Sequence, residues 1–140
     1  MAAYTLTVTE EEGPYLNYCV RGDNTAETVR RYLREVVELS RERGCRNLLI
    51  EEHLEGPSLP ITETYWIVEE AVASLGNSPY QVGFVNTNPE HPWANVQFAG
   101  MVAQNRGLLI KVFTSPADGK AWMLATLEPK PARPPGPQKP

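Results

Sequence analysis

Residues 46–52 read Arg-Asn-Leu-Leu-Ile-Glu-Glu, with Leu48, Leu49 and Ile50 in an unbroken apolar run. A half-buried strand alternates apolar and polar residues, whereas a short continuous run belongs to a strand covered on both faces. Such a strand needs packed layers above and below it, so this stretch predicts an α/β sheet.

On its N-terminal side, Gly44 ends a helix that Asn24 opens as N-cap, with Glu27 three residues later as in a capping box. Ala26, Val29, Leu33, Val36 and Val37 recur at helical spacing and predict the buried stripe. Arg31 with Glu35, and Arg34 with Glu38, stand four apart on a solvated face. Before the helix, residues 4–9 (YTLTVT) alternate as a half-buried strand, residues 10–14 make a turn, and residues 15–21 (YLNYCVR) form a second strand. The short link predicts an antiparallel hairpin.

On the C-terminal side, residues 53–60 read as a loop with Gly56, Pro57 and Pro60. A second helix follows, with Ile61, Tyr65, Val68, Val72 and Leu75 as its inward stripe and Gly76 as its stop. Residues 80–86 are a fourth strand and residues 93–106 a third helix, which uses Trp93, Val96, Ala99, Gly100 and Ala103. Residues 108–113 are a fifth strand, and Ser115, Pro116 and Asp118 start the last helix. The expected fold is α/β: a mainly parallel five-stranded sheet with one antiparallel edge strand and four helices, in the order ββαβαβαβα.

The 140 residues fit one domain, placed at residues 1–127. Residues 128–140 hold six prolines and no large apolar residue, so a disordered tail of polyproline II character is expected there. The formal net charge is −4, which argues against nucleic acid as a partner. No basic leader followed by an apolar stretch is present, and no apolar run approaches the roughly 18–20 residues of a membrane span. Cys19 and Cys45 are isolated, as in a reducing compartment. These features predict a cytoplasmic protein with no membrane insertion.

Three stretches carry a family resemblance: the ββα opening, LLIEEHLEGP at residues 48–57, and VFTSPADGKAWML at residues 112–124. Together they resemble the STAS domain, SpoIIAA-like family, with Val112, Phe113, Asp118, Ala121, Trp122 and Leu124 matching the closing strand and helix. The resemblance covers roughly residues 4–126 and implies a small cytoplasmic domain that acts by binding. In the bacterial anti-sigma factor antagonists of this family, a Ser or Thr after an Asp at the end of the third strand is phosphorylated. Here the corresponding stretch is Glu51-Glu52-His53-Leu54-Glu55-Gly56-Pro57-Ser58, without the Asp-Ser pair.

The carboxyl ends of the strands, where ligands approach such folds, comprise residues 51–60 and 86–93. The candidate partner or ligand rim is Glu52, His53, Ser58, Trp66, Asn86, His91 and Trp93. His53 and His91 are the only histidines, and the E-E-H-L-E spacing matches no HExxH or His-x-His site. Ser58, Ser78 and Ser115 lack a GxSxG elbow, and no glycine-rich phosphate loop follows a strand. No catalytic, cofactor-binding or metal-binding residue is assigned, and no cofactor is expected. The sequence therefore predicts a non-enzymatic regulatory protein-interaction domain without the usual phosphorylation motif. Its acidic body would meet a basic or apolar protein partner, and homo-oligomer formation through an edge strand is a further option. The alternative is a small-molecule or lipid-binding domain with a pocket near Trp66, Trp93 and Phe98.

Overall fold

A chain that steps across a parallel sheet in one direction, with right-handed crossovers, lays every crossover helix on the same face. The computed structural model follows this rule and describes residues 4–11 and 14–127. Its elements are β1 (Tyr4–Glu11), β2 (Tyr15–Asp23), α1 (Ala26–Arg43), β3 (Asn47–Glu55), α2 (Ile61–Ser74), β4 (Gln81–Asn86), α3 (Trp93–Asn105), β5 (Leu109–Phe113) and α4 (Pro116–Leu127). The sheet order is β1-β2-β3-β4-β5, with β1 antiparallel to β2 and the other pairs parallel. The fold class is as the sequence predicts. The proline-rich tail lies outside the described residues.

On one face, α1 packs Val29, Tyr32 and Val36, and α2 packs Ile67, against Tyr18, Val20, Leu48, Ile50, Leu54 and Val82. On the other face, Met123 of α4 meets Tyr15, Leu49 and Val85, flanked by Phe113 and Trp122. Leu48, Leu49 and Ile50 are all buried because successive side chains point to opposite faces and both faces are covered. Gly119 brings α4 close to the sheet: a Cβ there would lie 2.8 Å from Val85 Cγ2 and 3.0 Å from Leu49 Cδ1. Among the described residues no helix is long and apolar enough to cross a membrane.

Four local readings change. First, β3 runs to Glu55 instead of ending at Glu52, because β2 continues beside it, pairing Arg21 with His53 and Asp23 with Glu55. Alternation therefore separates the acidic cluster, with Glu52 on the α1–α3 face and Glu51 and His53 on the α4 face. Second, the N-cap of α1 is Thr25, whose hydroxyl accepts from Thr28 N–H at 3.1 Å. Asn24 lies one residue earlier, with its own N–H donated to Glu55 O at 2.7 Å.

Third, the inward stripe of α2 is Thr64, Ile67, Val68, Ala71, Val72 and Leu75. Ile61 is exposed and Tyr65 only half-buried. This helix sits between two others, so its flank matters as well as its underside. On that flank Glu69 accepts from Arg106 Nε at 2.7 Å, beside Tyr65. Fourth, Arg31 pairs back to Glu27 at 3.9 Å, the Glu-before-Arg orientation that suits a helix.

Candidate functional site

Three loops meet at the carboxyl edge of the sheet: β2 into α1, β3 into α2, and β4 into α3. Each would leave backbone groups unpaired, and a set of asparagines and one histidine satisfies them. Asn24 Nδ2 donates to Pro57 O at 2.8 Å. Asn88 Nδ2 donates to Leu54 O at 3.0 Å and Gly56 O at 3.2 Å. Gly56 has φ 111, a conformation that suits glycine and turns its carbonyl toward these donors.

His91 stands at the centre and is buried. Its Nε2 lies 2.9 Å from Gly56 O, which can only accept, so Nε2 carries the hydrogen. Its Nδ1 then accepts from Asn86 Nδ2 at 3.0 Å. Asn86 is held in that orientation because its Oδ1 accepts from Asn88 N–H at 3.0 Å. Both ring nitrogens are thus engaged, and His91 braces the edge instead of presenting a free base.

Beneath this polar knot lies a cavity of about 160 Å³ between the sheet and α1–α3. Its wall is hydrocarbon, including Val36, Ile50, Val82, Val96 and Ile110. Its polar end is formed by Asn24, Glu52, Ser58, Asn86, His91 and Asn95. Glu52 is only 6% exposed, and its Oε2 accepts from the Tyr32 hydroxyl. Burial pushes the Glu52 carboxyl up to about 7, against the opposing pull of the Tyr32 hydrogen bond. Burial and the Glu52 charge together raise the Tyr32 phenol well above its usual range. Among the described residues, Asn17 Oδ1 is the side-chain polar atom both sealed and unpartnered. Glu52 lines the cavity, and no described residue donates to its Oε1.

The rim residues fall into three groups. Glu52, Ser58, Asn86 and His91 converge on the polar end, where Ser58 Oγ accepts from Asn95 Nδ2 at 3.1 Å. His53 lies on the opposite face of the sheet. There its Nε2 is 3.5 Å from Glu51 Oε1, and Glu51 Oε2 accepts from Asn17 Nδ2 at 2.8 Å. The Thr87 hydroxyl lies 2.8 Å from His53 Nδ1 and 3.2 Å from Glu52 O, so it ties the ring to the strand end. Among the described residues, no three His, Cys, Asp or Glu side chains are grouped as a metal ion would need.

Trp66 and Trp93 form the third group. Both are exposed, and neither they nor Phe98 line the cavity, so the pocket lies deeper than the sequence places it. Compared with known proteins, the chain matches no family model and no curated sequence.

The sequence reading misses Tyr32, Asn88 and Asn95, and it takes Asn24 for a cap. Tyr32 carried a signal, lying three residues after Val29 and four before Val36. The asparagines carried none beyond their ordinary frequency in turns.

Proposed function

We propose that this is a non-enzymatic regulatory protein-interaction domain of the STAS, SpoIIAA-like type, lacking the phosphorylation motif. Its docking surface is the carboxyl edge of the helical layer. The observation that carries this reading is the exposure of large apolar side chains there. Trp66 is 63% exposed, and Ile61 and Trp93, the first residues of α2 and α3, are each 41% exposed. Both helices return from the same edge of a parallel sheet, so their first turns lie side by side. Trp66 is steadied by an edge-on contact with Tyr65, with ring centroids 5.1 Å apart. A rigid exposed aromatic is the usual anchor of a protein interface.

The loop chemistry is consistent with binding at a preformed surface. Ser58, nearest to the family's phosphorylation position, is half-buried and used by Asn95, which makes it a loop brace in this reading.

The test compares immobilised wild-type protein with a Trp66→Ser/Trp93→Ser variant in extract from the native cell. The expected result is a discrete partner that wild type retains and the variant loses, while both unfold at the same temperature. Equal retention by both proteins, or no retained partner, would overturn the proposal.

A further inference from the structure

We propose that the cavity between the sheet and α1–α3 binds a small molecule with a compact apolar body and a primary ammonium head, the head seated against Glu52. This does not depend on the docking surface, since Trp66 and Trp93 lie outside the cavity lining.

Size sets the body of the ligand. A cavity of about 160 Å³ is comparable to an engineered apolar cavity of roughly 150 Å³ that stays dry and takes up benzene. One ring or a short branched chain would fill it. The wall offers such a body no polar competition, being built from residues such as Val36, Leu48, Ile67, Val82, Ala99 and Val112.

Hydrogen bonds and charge set the head. At the polar end one hydrogen of each asparagine amide, and the His91 ring hydrogen, are used inside the protein. Asn24 Nδ2 is committed to Pro57 O, Asn86 Nδ2 to His91, His91 Nε2 to Gly56 O, and Asn95 Nδ2 to Ser58. Besides the second hydrogens of those amides, what remains is the Glu52 carboxyl oxygen Oε1, to which no described residue donates, and the amide oxygens of Asn24 and Asn95; of these groups only the carboxyl can carry charge. The Ser58 hydroxyl can still give its proton or accept a second one. The charge decides the head: a donor that carries positive charge gains a charge-assisted bond to the Glu52 carboxylate, and the amide oxygens beside it can take its other hydrogens. A carboxylate ligand would bring a second negative charge against the ionised Glu52. Asn24, Ser58 and Asn95 are half-buried, so this end reaches solvent and gives a small molecule its way in.

The experiment titrates the full chain with benzylamine, benzyl alcohol and benzoate at pH 6 and pH 8, by calorimetry and by amide chemical shifts. The expected result at pH 8 is about tenfold tighter binding of benzylamine than of benzyl alcohol, as one charge-assisted bond gives, with benzoate excluded. Alkylammonium groups stay protonated to roughly pH 10, so the preference should shrink at pH 6, where Glu52 holds its proton. Glu52→Gln should bind the two compounds equally at both pH values, and Ala99→Phe, which fills the wall, should bind neither.

The titratable groups lining the cavity are Tyr32, Glu52 and His91, and Tyr32 is pushed out of this pH range. Equal binding of alcohol and amine to wild type at pH 8 would overturn the proposal, as would no binding at millimolar concentration. So would a pH dependence that persists in Glu52→Gln or disappears in His91→Gln. Should Glu52→Gln fail to fold, the wild-type series at the two pH values decides alone.

Discussion

The Tyr32 hydroxyl donates to Glu52 Oε2, tying α1 to β3 at a point where both side chains are buried. The bond keeps an acid inside a hydrocarbon layer without ion-pairing it. The acid is therefore stable there chiefly while protonated, and this has a measurable sign.

The folded carboxyl of Glu52 titrates at about 7, against 4.5 when unperturbed. Its protonated form is favoured by folding, so this stabilisation is complete below the unfolded value and is lost as pH rises through the folded one. Over that window the domain should lose about 3 kcal/mol of stability. Glu52→Gln keeps an acceptor for Tyr32 and removes the titration. Urea denaturation should show it about 1–3 kcal/mol more stable than wild type at pH 8 and nearly equal at pH 5. A wild-type stability that rises over this interval would contradict the assignment.

His91→Ala leaves Asn86 Nδ2 without its acceptor and removes a donor from Gly56 O. A stranded buried group costs about 1–3 kcal/mol. Thermal unfolding should shift down accordingly, and amide exchange should speed up first at residues 54–57 and 86–91, because the brace joins these loops. Uniform acceleration across the sheet would show instead that His91 acts on global stability.

Gly119→Ala should destabilise the domain even though alanine is the better helix former by about 1 kcal/mol. The new methyl would stand 2.8 Å from Val85 Cγ2 and 3.0 Å from Leu49 Cδ1, and both residues are fully buried. Overpacking costs roughly 1–3 kcal/mol, so a net loss of about 1 kcal/mol is expected in chemical denaturation. Gly83→Ala presses on the same Leu49 Cδ1 at 2.8 Å. The double variant should accordingly be non-additive.

Much of this fold was legible in residues 46–52. The apolar run of Leu48, Leu49 and Ile50 required two covered faces, and the hairpin and punctuating glycines supplied the rest of the order. The register of α2 was not legible, because a helix with neighbours on both flanks spreads apolar residues beyond one stripe. Tyr65 and Ile61 matched the spacing but belong to the flank and the exterior. The end of β3 was hidden for a related reason. His53 and Glu55 look like loop residues, and only pairing with the extended end of β2 makes them strand. Alternation, carried on through His53 by that three-residue extension, separates Glu52 from Glu51 and His53, so a cluster contiguous in sequence becomes two sites on opposite sides of the sheet. The asparagine network depends on contacts between loops far apart in the chain, and no local pattern encodes it.

The uninterrupted order of the strands bears on how the chain is built. Each strand pairs with the one made just before it, so none has to be threaded between partners already joined. The sheet can grow from its hairpin while the chain is still leaving the ribosome, each βα unit closing only a short loop. The cost falls on the last element of the domain to be made, α4. The second face of β3 and β4, with Leu49 and Val85, stays bare until α4 arrives. Chains that stop short of residue 116 would carry an unshielded apolar sheet, the kind of surface that drives aggregation and engages chaperones.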